Sequence, residues 1–459
     1  MTLPRLASLV IAVAAAVALP AVASAQEAPV QSGNPAAPVS LSLDDCLRLA
    51  VERNPDRTSA LLAEQIAAIE AQRARLDRYT AQVSVSGGAD VGTYKPWGGD
   101  AYRTSAVDWG TRATAAVPLY AGGSLRASVD YADAAHRIAT LDRALTERSL
   151  QRAAYSAYWN IRGYELQIAA AQEGLDLTQQ ALDIITAKAN AGLAAGIDVN
   201  RSTVDLYSQQ ASLIAQRSAL YQAQQELLQL LHVDGDRVTL TDDPPPATTG
   251  RVSLGANAGE GRPELARRRE EAVEADAQVT IARSAALPTV SLTGTAGLGG
   301  AAGEGAFVEW NADTLRPDLD ASVGVQVSWN PFDLFRTRDG VREARLAAQQ
   351  IEASTVSTRD AIAADLRKAA SNVEQLRERV PLSDAQVALA RDNLQIVQDL
   401  YAQGSATILD LFNAQASFRQ ARVEGAGLRV ELATAEADLR WLLGADPAAV
   451  DLPAPETTP

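Results

Sequence analysis

The feature that most constrains the fold of this chain is an internal duplication. Landmarks in the first half recur 208 to 213 residues later in the second half. The pairs are Asn54-Pro55 with Arg262-Pro263, Val117-Pro118 with Asn330-Pro331, Gly192 with Gly404, Asp198 with Asp410, and Leu230-Leu231 with Leu442-Leu443. Unrelated segments do not share landmarks at one offset over such a span, so we interpret the chain as a tandem repeat.

A column of apolar residues at every seventh position supports this pairing. In the first half the column is Val199, Leu206, Leu213, Leu220 and Leu227. The residues 212 positions later are Leu411, Phe418, Gly425, Leu432 and Leu439, of which four are apolar. Seven-residue spacing is typical of helices packed side by side as a coiled coil.

Each half predicts the same order of elements: a helix, two strands, a very long helix and a further helix. The long helices are expected at about residues 123–191 and 339–403, and each would span on the order of 100 Å. No single globular core surrounds such a helix. The shorter helices of the first half, about 42–79 and 197–231, together match its length. We therefore expect them to stack end to end beside it.

The four predicted strands lie at about residues 80–93, 107–119, 289–298 and 319–329. Their alternation of apolar and polar residues indicates a sheet with one wet face, which fits either a soluble sheet or a membrane barrel. Strand lengths near ten residues favour the barrel, as do aromatic residues at the strand ends, namely Tyr79, Tyr94, Trp109, Tyr120, Trp310, Trp329 and Phe332. Four strands cannot close such a barrel, so the chain must oligomerise, with two copies giving eight strands and three giving twelve.

The remaining segments complete the predicted domain organisation. A basic start, an apolar run and Ala23-Ser24-Ala25 predict a signal peptide over residues 1–25, which implies export. A flexible segment is expected over 26–40, and the two repeats over 41–232 and 262–444. An inter-repeat linker is expected over 233–261 and a disordered tail over 445–459.

Composition argues against several functions. A formal net charge of −15 disfavours nucleic acid as a partner. Cys46 is the only cysteine, so the chain forms no internal disulfide. It is either a lipid anchor or, as its place in a capped helix start favours, a small helix residue. His136 and His232 lack neighbours at metal-ligand spacing, so we expect no catalytic, metal or cofactor site.

The duplicated plan, the Asn54-Pro55 opening, the Gly404-to-Asp410 turn and the Leu442-Leu443-Gly444 ending resemble the TolC family of outer-membrane efflux proteins. The resemblance implies a mainly α fold, with long coiled-coil helices forming an α-barrel tunnel. It also implies a trimer, with four strands per protomer in a twelve-strand membrane β-barrel. The partners implied are a periplasmic adaptor (membrane fusion) protein, an inner-membrane pump or ABC transporter, and outer-membrane lipid.

The function so implied is a passive exit duct for small molecules or polypeptides across the periplasm and outer membrane, as part of a tripartite efflux or type I secretion system. The alternative is a soluble periplasmic coiled-coil scaffold or adaptor. An adaptor would carry one helical hairpin flanked by compact β-domains, whereas this sequence predicts two hairpins and four strands.

The resemblance also implies roles for particular residues. Asp410 occupies the position of an acid that lines the tunnel constriction, and Asn413 stands where the family usually has a second acid. Asp198 and Tyr401 match a pair that holds the tip closed, whereas Ala406 replaces a gating arginine. Each also has a plainer interpretation: Asp410 and Asp198 are helix-start acids favoured by the helix dipole, and Tyr401 is a coiled-coil aromatic.

The turns between the helices are the segments that the family presents to its adaptor. They contain Gly192-Leu193 in the first repeat and Gly404-Ser405 in the second. Glycine is also common where a helix ends in a left-handed conformation, and that alone accounts for both glycines.

Overall fold

Two very long helices, one in each half of the chain, set the dimensions of the molecule. A computed structural model describes residues 39–94, 103–192, 195–242, 255, 259–304 and 318–443. Helix α3 spans Ser124–Asn190 and α6 spans Leu334–Ala402, with 67 and 69 residues. The predicted signal peptide, most of the predicted flexible segment and the predicted tail lie outside the described residues.

Shorter helices accompany each long one, as the duplication predicts. The first half contains α1 (Leu43–Glu52), α2 (Pro55–Asp77) and α4 (Gly196–Leu231). The second half contains α5 (Pro263–Ser284) and α7 (Ile408–Leu443). None of the helices in the described part of the chain is long and apolar enough to cross a membrane.

The first predicted helix is divided in two. Ser42 caps α1 by accepting a hydrogen bond from the Asp45 backbone N–H at 3.2 Å. Helix α1 ends with Arg53 as its C-terminal cap. Asn54 then caps α2, because its side chain accepts a hydrogen bond from the Asp56 N–H at 2.9 Å. A proline at the first position of a helix restricts the residue before it to extended conformations, so a single helix over 42–79 was the wrong prediction.

The helices form one layer that changes partners along its length. At the sheet end α2 packs on α3, α3 on α5, and α5 on α6. At the far end α4 packs on α3, α3 on α7, and α7 on α6. The short helices therefore follow one another in pairs beside the long ones, α2 with α4 and α5 with α7, as the helix lengths predicted. Helix α6 forms one lateral edge of the layer throughout, and α2 with α4 forms the other.

The residues of the heptad column lie on the sides of α4 and α7 that pack against neighbouring helices of this layer. In α7 all five of its residues are buried, and in α4 three of the five are buried. Phe418 is 2% exposed and lies in a core with Ile185, Leu394 and Leu411. The seven-residue pattern thus correctly located the side of each helix that its neighbours cover.

Four antiparallel strands form the main sheet, in the order β2-β3-β5-β6. They span Gln82–Tyr94, Arg103–Ala121, Thr289–Glu304 and Asp318–Ser328. Strands β3 and β5 extend several residues beyond the predicted bounds, because they continue to pair through Gly299 and Ala302, in a stretch where the sequence predicted a loop. Strands β2 and β6 are the outer strands, and each has one edge without a partner within the described chain.

A small second sheet joins the two ends of the first repeat. Strand β1 (Val39–Leu41) pairs in parallel with β4 (Val238–Leu240). Val39 and Ser40 lie at the end of the segment predicted to be flexible. Their backbone pairs with β4 in the inter-repeat linker, so the prediction was wrong for these two residues. Beside this sheet lies a core that includes Cys46, Tyr158 and Trp441.

A proline within α6 predicts a local bend. The helix continues through Pro381, which has no N–H to donate to the carbonyl of Arg377. We expect α6 to bend there, whereas α3 stays straight at Ala169, the equivalent residue 212 positions earlier. Helix axes measured in an experimental structure test this. Equal curvature at the two residues would contradict the prediction.

Candidate functional site at the helix turns

The far ends of the helices carry every residue that the family resemblance singled out. Gly192 and Gly404 adopt positive φ angles of 74° and 77°. A Cβ added at either would meet open space, so backbone conformation rather than packing requires glycine there. Ser405 is exposed and donates its N–H to the Leu400 carbonyl at 2.8 Å. Leu193 lies outside the described residues.

Asp410 is part of a reciprocal cap at the start of α7. Its carboxylate accepts the Thr407 N–H at 2.9 Å and the Thr407 hydroxyl at 2.6 Å. The Asp410 N–H in turn donates to the Thr407 hydroxyl at 3.2 Å. These bonds from Thr407 favour the ionised carboxylate and lower the pKa of Asp410. The side chain is exposed, so capping leaves the carboxylate charged and accessible to water.

Asn413 is also exposed. Leu411, which follows Asp410, and Ala414, which follows Asn413, are buried. Asp410 and Asn413 are three residues apart and therefore lie on one side of α7, away from the core. The structure brings these two predicted constriction residues together on one water-accessible face.

Tyr401 lies against a residue that the sequence did not single out. Tyr401 is 7% exposed, and the Lys188 Nζ lies 4.2 Å from the centroid of its ring. The Lys188 ammonium also donates to the Tyr401 carbonyl. Burial, and then the negative charge of Asp198, raise the pKa of the Tyr401 hydroxyl. Asp198 is thus near Tyr401, but no hydrogen bond joins the two side chains within the described chain.

A second contact missed by the sequence links three helices above the turn. The Glu173 carboxylate of α3 accepts from Arg391 of α6 at 2.7 Å and from Arg422 of α7 at 3.0 Å. Burial acts to raise the pKa of Glu173, but the hydrogen bonds from both arginines lower it. Coiled-coil spacing predicts that these residues flank the buried side of their helices, but it does not predict which of them form ion pairs.

Among the strand residues whose side chains are described, one charged pair lies on the polar face of the sheet. Arg112 of β3 and Asp320 of β6 lie in one row with Gly297 between them, and their side chains approach to 3.8 Å. Gly297 leaves the space for this contact, because a Cβ there would collide with the Asp320 carboxylate. The opposite face carries exposed valines, among them Val323 at 82% exposure.

The described residues include no cluster of three side chains that could hold a metal ion. The glycine-rich stretch around residues 294–304 is part of strand β5. His232 adopts a positive φ of 49° and ends α4.

Known proteins resemble this chain over both repeats. The family model for outer membrane efflux proteins matches residues 47–232 and 254–445. The chain belongs to the outer membrane efflux protein family. This confirms the predicted resemblance, the fold class, and the assignment to the outer membrane as an efflux channel. Members of the family are channel proteins, which favours the duct over the adaptor alternative.

Solved structures share the fold at low sequence identity. The outer-membrane channel OprN is 23% identical, with 88% of this chain and 90% of that chain covered and a TM-score of 0.76. The Campylobacter jejuni channel CmeC is 15% identical, with 94% and 96% covered and a TM-score of 0.73. The open state of the Neisseria gonorrhoeae channel MtrE is 20% identical, with 88% and 89% covered and a TM-score of 0.70. No curated protein sequence matched.

The contact between Lys188 and Tyr401 predicts a local effect in this efflux channel. Lys188→Met removes the cation above the ring and the donor to the Tyr401 carbonyl, together about 1–1.5 kcal/mol. We expect amide exchange at residues 185–190 and 399–404 to accelerate up to about tenfold, as measured by hydrogen–deuterium exchange.

Lys368→Met is the matched control, because Lys368 is exposed and its one ion pair, with Asp365, is long at 3.6 Å. Unchanged exchange in Lys188→Met, or the same acceleration in the control, would contradict the assignment.

Proposed function

We propose that the channel is a homotrimer whose protomers join edge to edge around a continuous tunnel. The observation that carries the proposal is the pair of open strand edges. An unpaired edge is not stable in lipid, because its N–H and C=O groups have no water to bind. Strand β2 runs away from the helices and β6 returns to them, so β6 of one copy can pair antiparallel with β2 of the next.

Exposed apolar stripes on the helices support the same arrangement. On one lateral edge, α4 exposes Val204, Ile214 and Tyr221, and α2 exposes Leu62, Ile66, Ile69 and Leu76. On the other edge, α6 exposes Leu382, Leu389 and Ile396 at heptad spacing. Single chains in water rarely leave such stripes uncovered. The stripes lie on the same two sides as the open strands, so one repeated contact would cover both.

Two different edges meeting in one contact form a closed ring when the rotation closes. Two copies would give eight strands and three would give twelve, and the family resemblance favours three. The trimer would then have a twelve-strand barrel in the membrane and a helical tunnel in the periplasm.

The purified protein should therefore be a trimer in detergent, and a charge placed in the α6 stripe should break it. Leu389→Glu puts a carboxylate where we expect an apolar partner, and light scattering corrected for the micelle should detect monomers. Gln395→Glu adds the same charge at an exposed position of α6 outside the stripe and should remain trimeric. A monodisperse wild-type monomer would overturn the architecture.

We propose that three Asp410 carboxylates line the narrow end of the tunnel. The exposed, ionised side chain on the polar side of α7 supports this, as does its neighbour Asn413. The contact of Tyr401 with Lys188, and the proximity of Asp198, hold the ends of α3 and α6 together beside the turn. In this protein the lysine supports the tip where Ala406 replaces the family's gating arginine.

The turns themselves are proposed to receive the periplasmic adaptor. Ile197 and Leu409 are 212 positions apart and are 58% and 64% exposed. Each is the second residue of the helix that leaves its turn, beside Gly192-Leu193 or Gly404-Ser405. Both repeats thus present an uncovered aliphatic side chain at the same place, which suits an apolar contact at the tip. The adaptor would connect the duct to an inner-membrane pump or ABC transporter, which selects the substrate.

Ion selectivity tests the role of Asp410. Asp410→Asn should reduce cation selectivity in planar bilayers, most clearly at low salt, because the screening length there is longest. Asn413→Asp should increase it, and Asp410→Glu should preserve it. If Asp410 only caps α7, Asp410→Asn will leave reversal potentials unchanged and slightly lower the thermal stability of an intact trimer.

A further inference from the structure

The charges of the helices change sign with distance from the sheet. The ten residues next to each of the four strand ends on the helix side contain seven arginines and three acids. The ten residues beyond those contain four arginines and nine acids. The chain as a whole has a formal charge of −15. The helices therefore carry a basic layer next to the sheet, although the chain as a whole is acidic.

Most arginines of this layer are exposed and have no carboxylate partner. Six of the seven are exposed, namely Arg73, Arg75, Arg126, Arg283, Arg336 and Arg338. Among the described residues only Arg75 forms a salt bridge, to Asp133 at 2.8 Å. The acidic layer beyond is more often paired, as in the bridges of Glu64 with Arg143 and of Glu270 with Arg137. Nothing within the described chain neutralises most of the basic layer.

Large aromatic side chains are exposed at the same level. Phe332 and Phe335 are 91% and 82% exposed, and Tyr79 is 72% exposed. Trp329 is 57% exposed and donates its indole N–H to the Ala286 carbonyl at 3.2 Å. That bond holds the end of β6 against the end of α5. Exposed aromatics beside a lipid-facing sheet are typical of the boundary between hydrocarbon and headgroups.

Three of the arginines that form no salt bridge among the described residues flank this aromatic group. Arg283 of α5 lies three residues before Ala286, about one helical turn. Arg336 and Arg338 follow Phe335 at the start of α6. Guanidinium groups bind phosphate oxygens through paired N–H donors. Aromatic rings for the acyl boundary and guanidinium groups for phosphate thus lie together at one depth.

We propose that Arg283, Arg336 and Arg338, with the aromatics Trp329, Phe332 and Phe335, form a site for the headgroups of anionic phospholipids in the periplasmic leaflet. The inference rests on the proposed trimeric membrane channel. Anionic lipid is the occupant favoured by the charge, because a zwitterionic headgroup would leave the excess of arginines uncompensated. The site would fix the depth of the channel in the membrane and select the lipid at its surface.

Native mass spectrometry of the detergent-solubilised trimer tests the proposal, with phosphatidylglycerol and phosphatidylethanolamine as the added lipids. The variant Arg283→Gln/Arg336→Gln/Arg338→Gln removes three charges next to the sheet. The control Arg269→Gln/Arg342→Gln/Arg345→Gln removes one arginine from α5 and two from α6 as well, but from the next layer. All three control residues are exposed.

We expect wild type and control to bind phosphatidylglycerol more tightly than phosphatidylethanolamine, and 0.5 M salt to weaken that binding. At about fivefold per arginine, the test variant should lose up to about a hundredfold in phosphatidylglycerol affinity and little for phosphatidylethanolamine. Equal binding of the two lipids by wild type, unchanged affinity in the test variant, or an equal loss in the control would overturn the site.

Assembly gives a separate readout. If the test variant is monomeric while the control is a trimer, the arginines belong to the contact between protomers and the lipid site is wrong. Failure of the wild type to form a trimer would instead refute the proposed function, and it would be visible before any lipid is added.

Discussion

The open edges of strands β2 and β6 are the constraint on which the rest of the architecture depends. Within the described chain, four strands expose one apolar face and leave two rows of backbone groups without partners. In hydrocarbon each such group costs several kcal/mol, so the sheet is stable in a membrane only when another copy supplies the missing strand. A soluble sheet could leave these edges to water. An efflux channel cannot, and so its folding in the membrane is tied to its assembly.

The helical layer has its edges on the same sides as the sheet. Helix α6 follows β6 directly and remains at one side of the layer to its far end. Helix α2 precedes β2, and α4 extends α2 along the opposite side. One contact between neighbouring copies can therefore pair strands in the membrane and cover apolar stripes in the periplasm. The heptad spacing keeps those stripes aligned over about 100 Å, since each helix presents the same side at every second turn.

Local and periodic features were predictable from the sequence, whereas specific long-range contacts were not. Pro55, Gly192 and Gly404 mark helix ends through backbone rules that need no partner, and the heptad column identified the buried side of α7. The pairing of β1 with β4 involves three residues on each side, too few for a periodic signal. The contact of Lys188 with Tyr401 joins residues 213 positions apart, and no spacing rule connects them. The hydrogen bonds of Glu173 with two arginines were unpredictable for the same reason.

The contact between Lys188 and Tyr401 shows that the two repeats have diverged at their turns. At an offset of 212 the equivalent of Tyr401 is Ala189, and that of Lys188 is Leu400. The cation and the ring therefore occur once per chain, each supplied by a different repeat. Asp410, by contrast, keeps Asp198 as its equivalent. The charge at the helix starts is thus shared by both repeats, whereas the contact between Lys188 and Tyr401 is not.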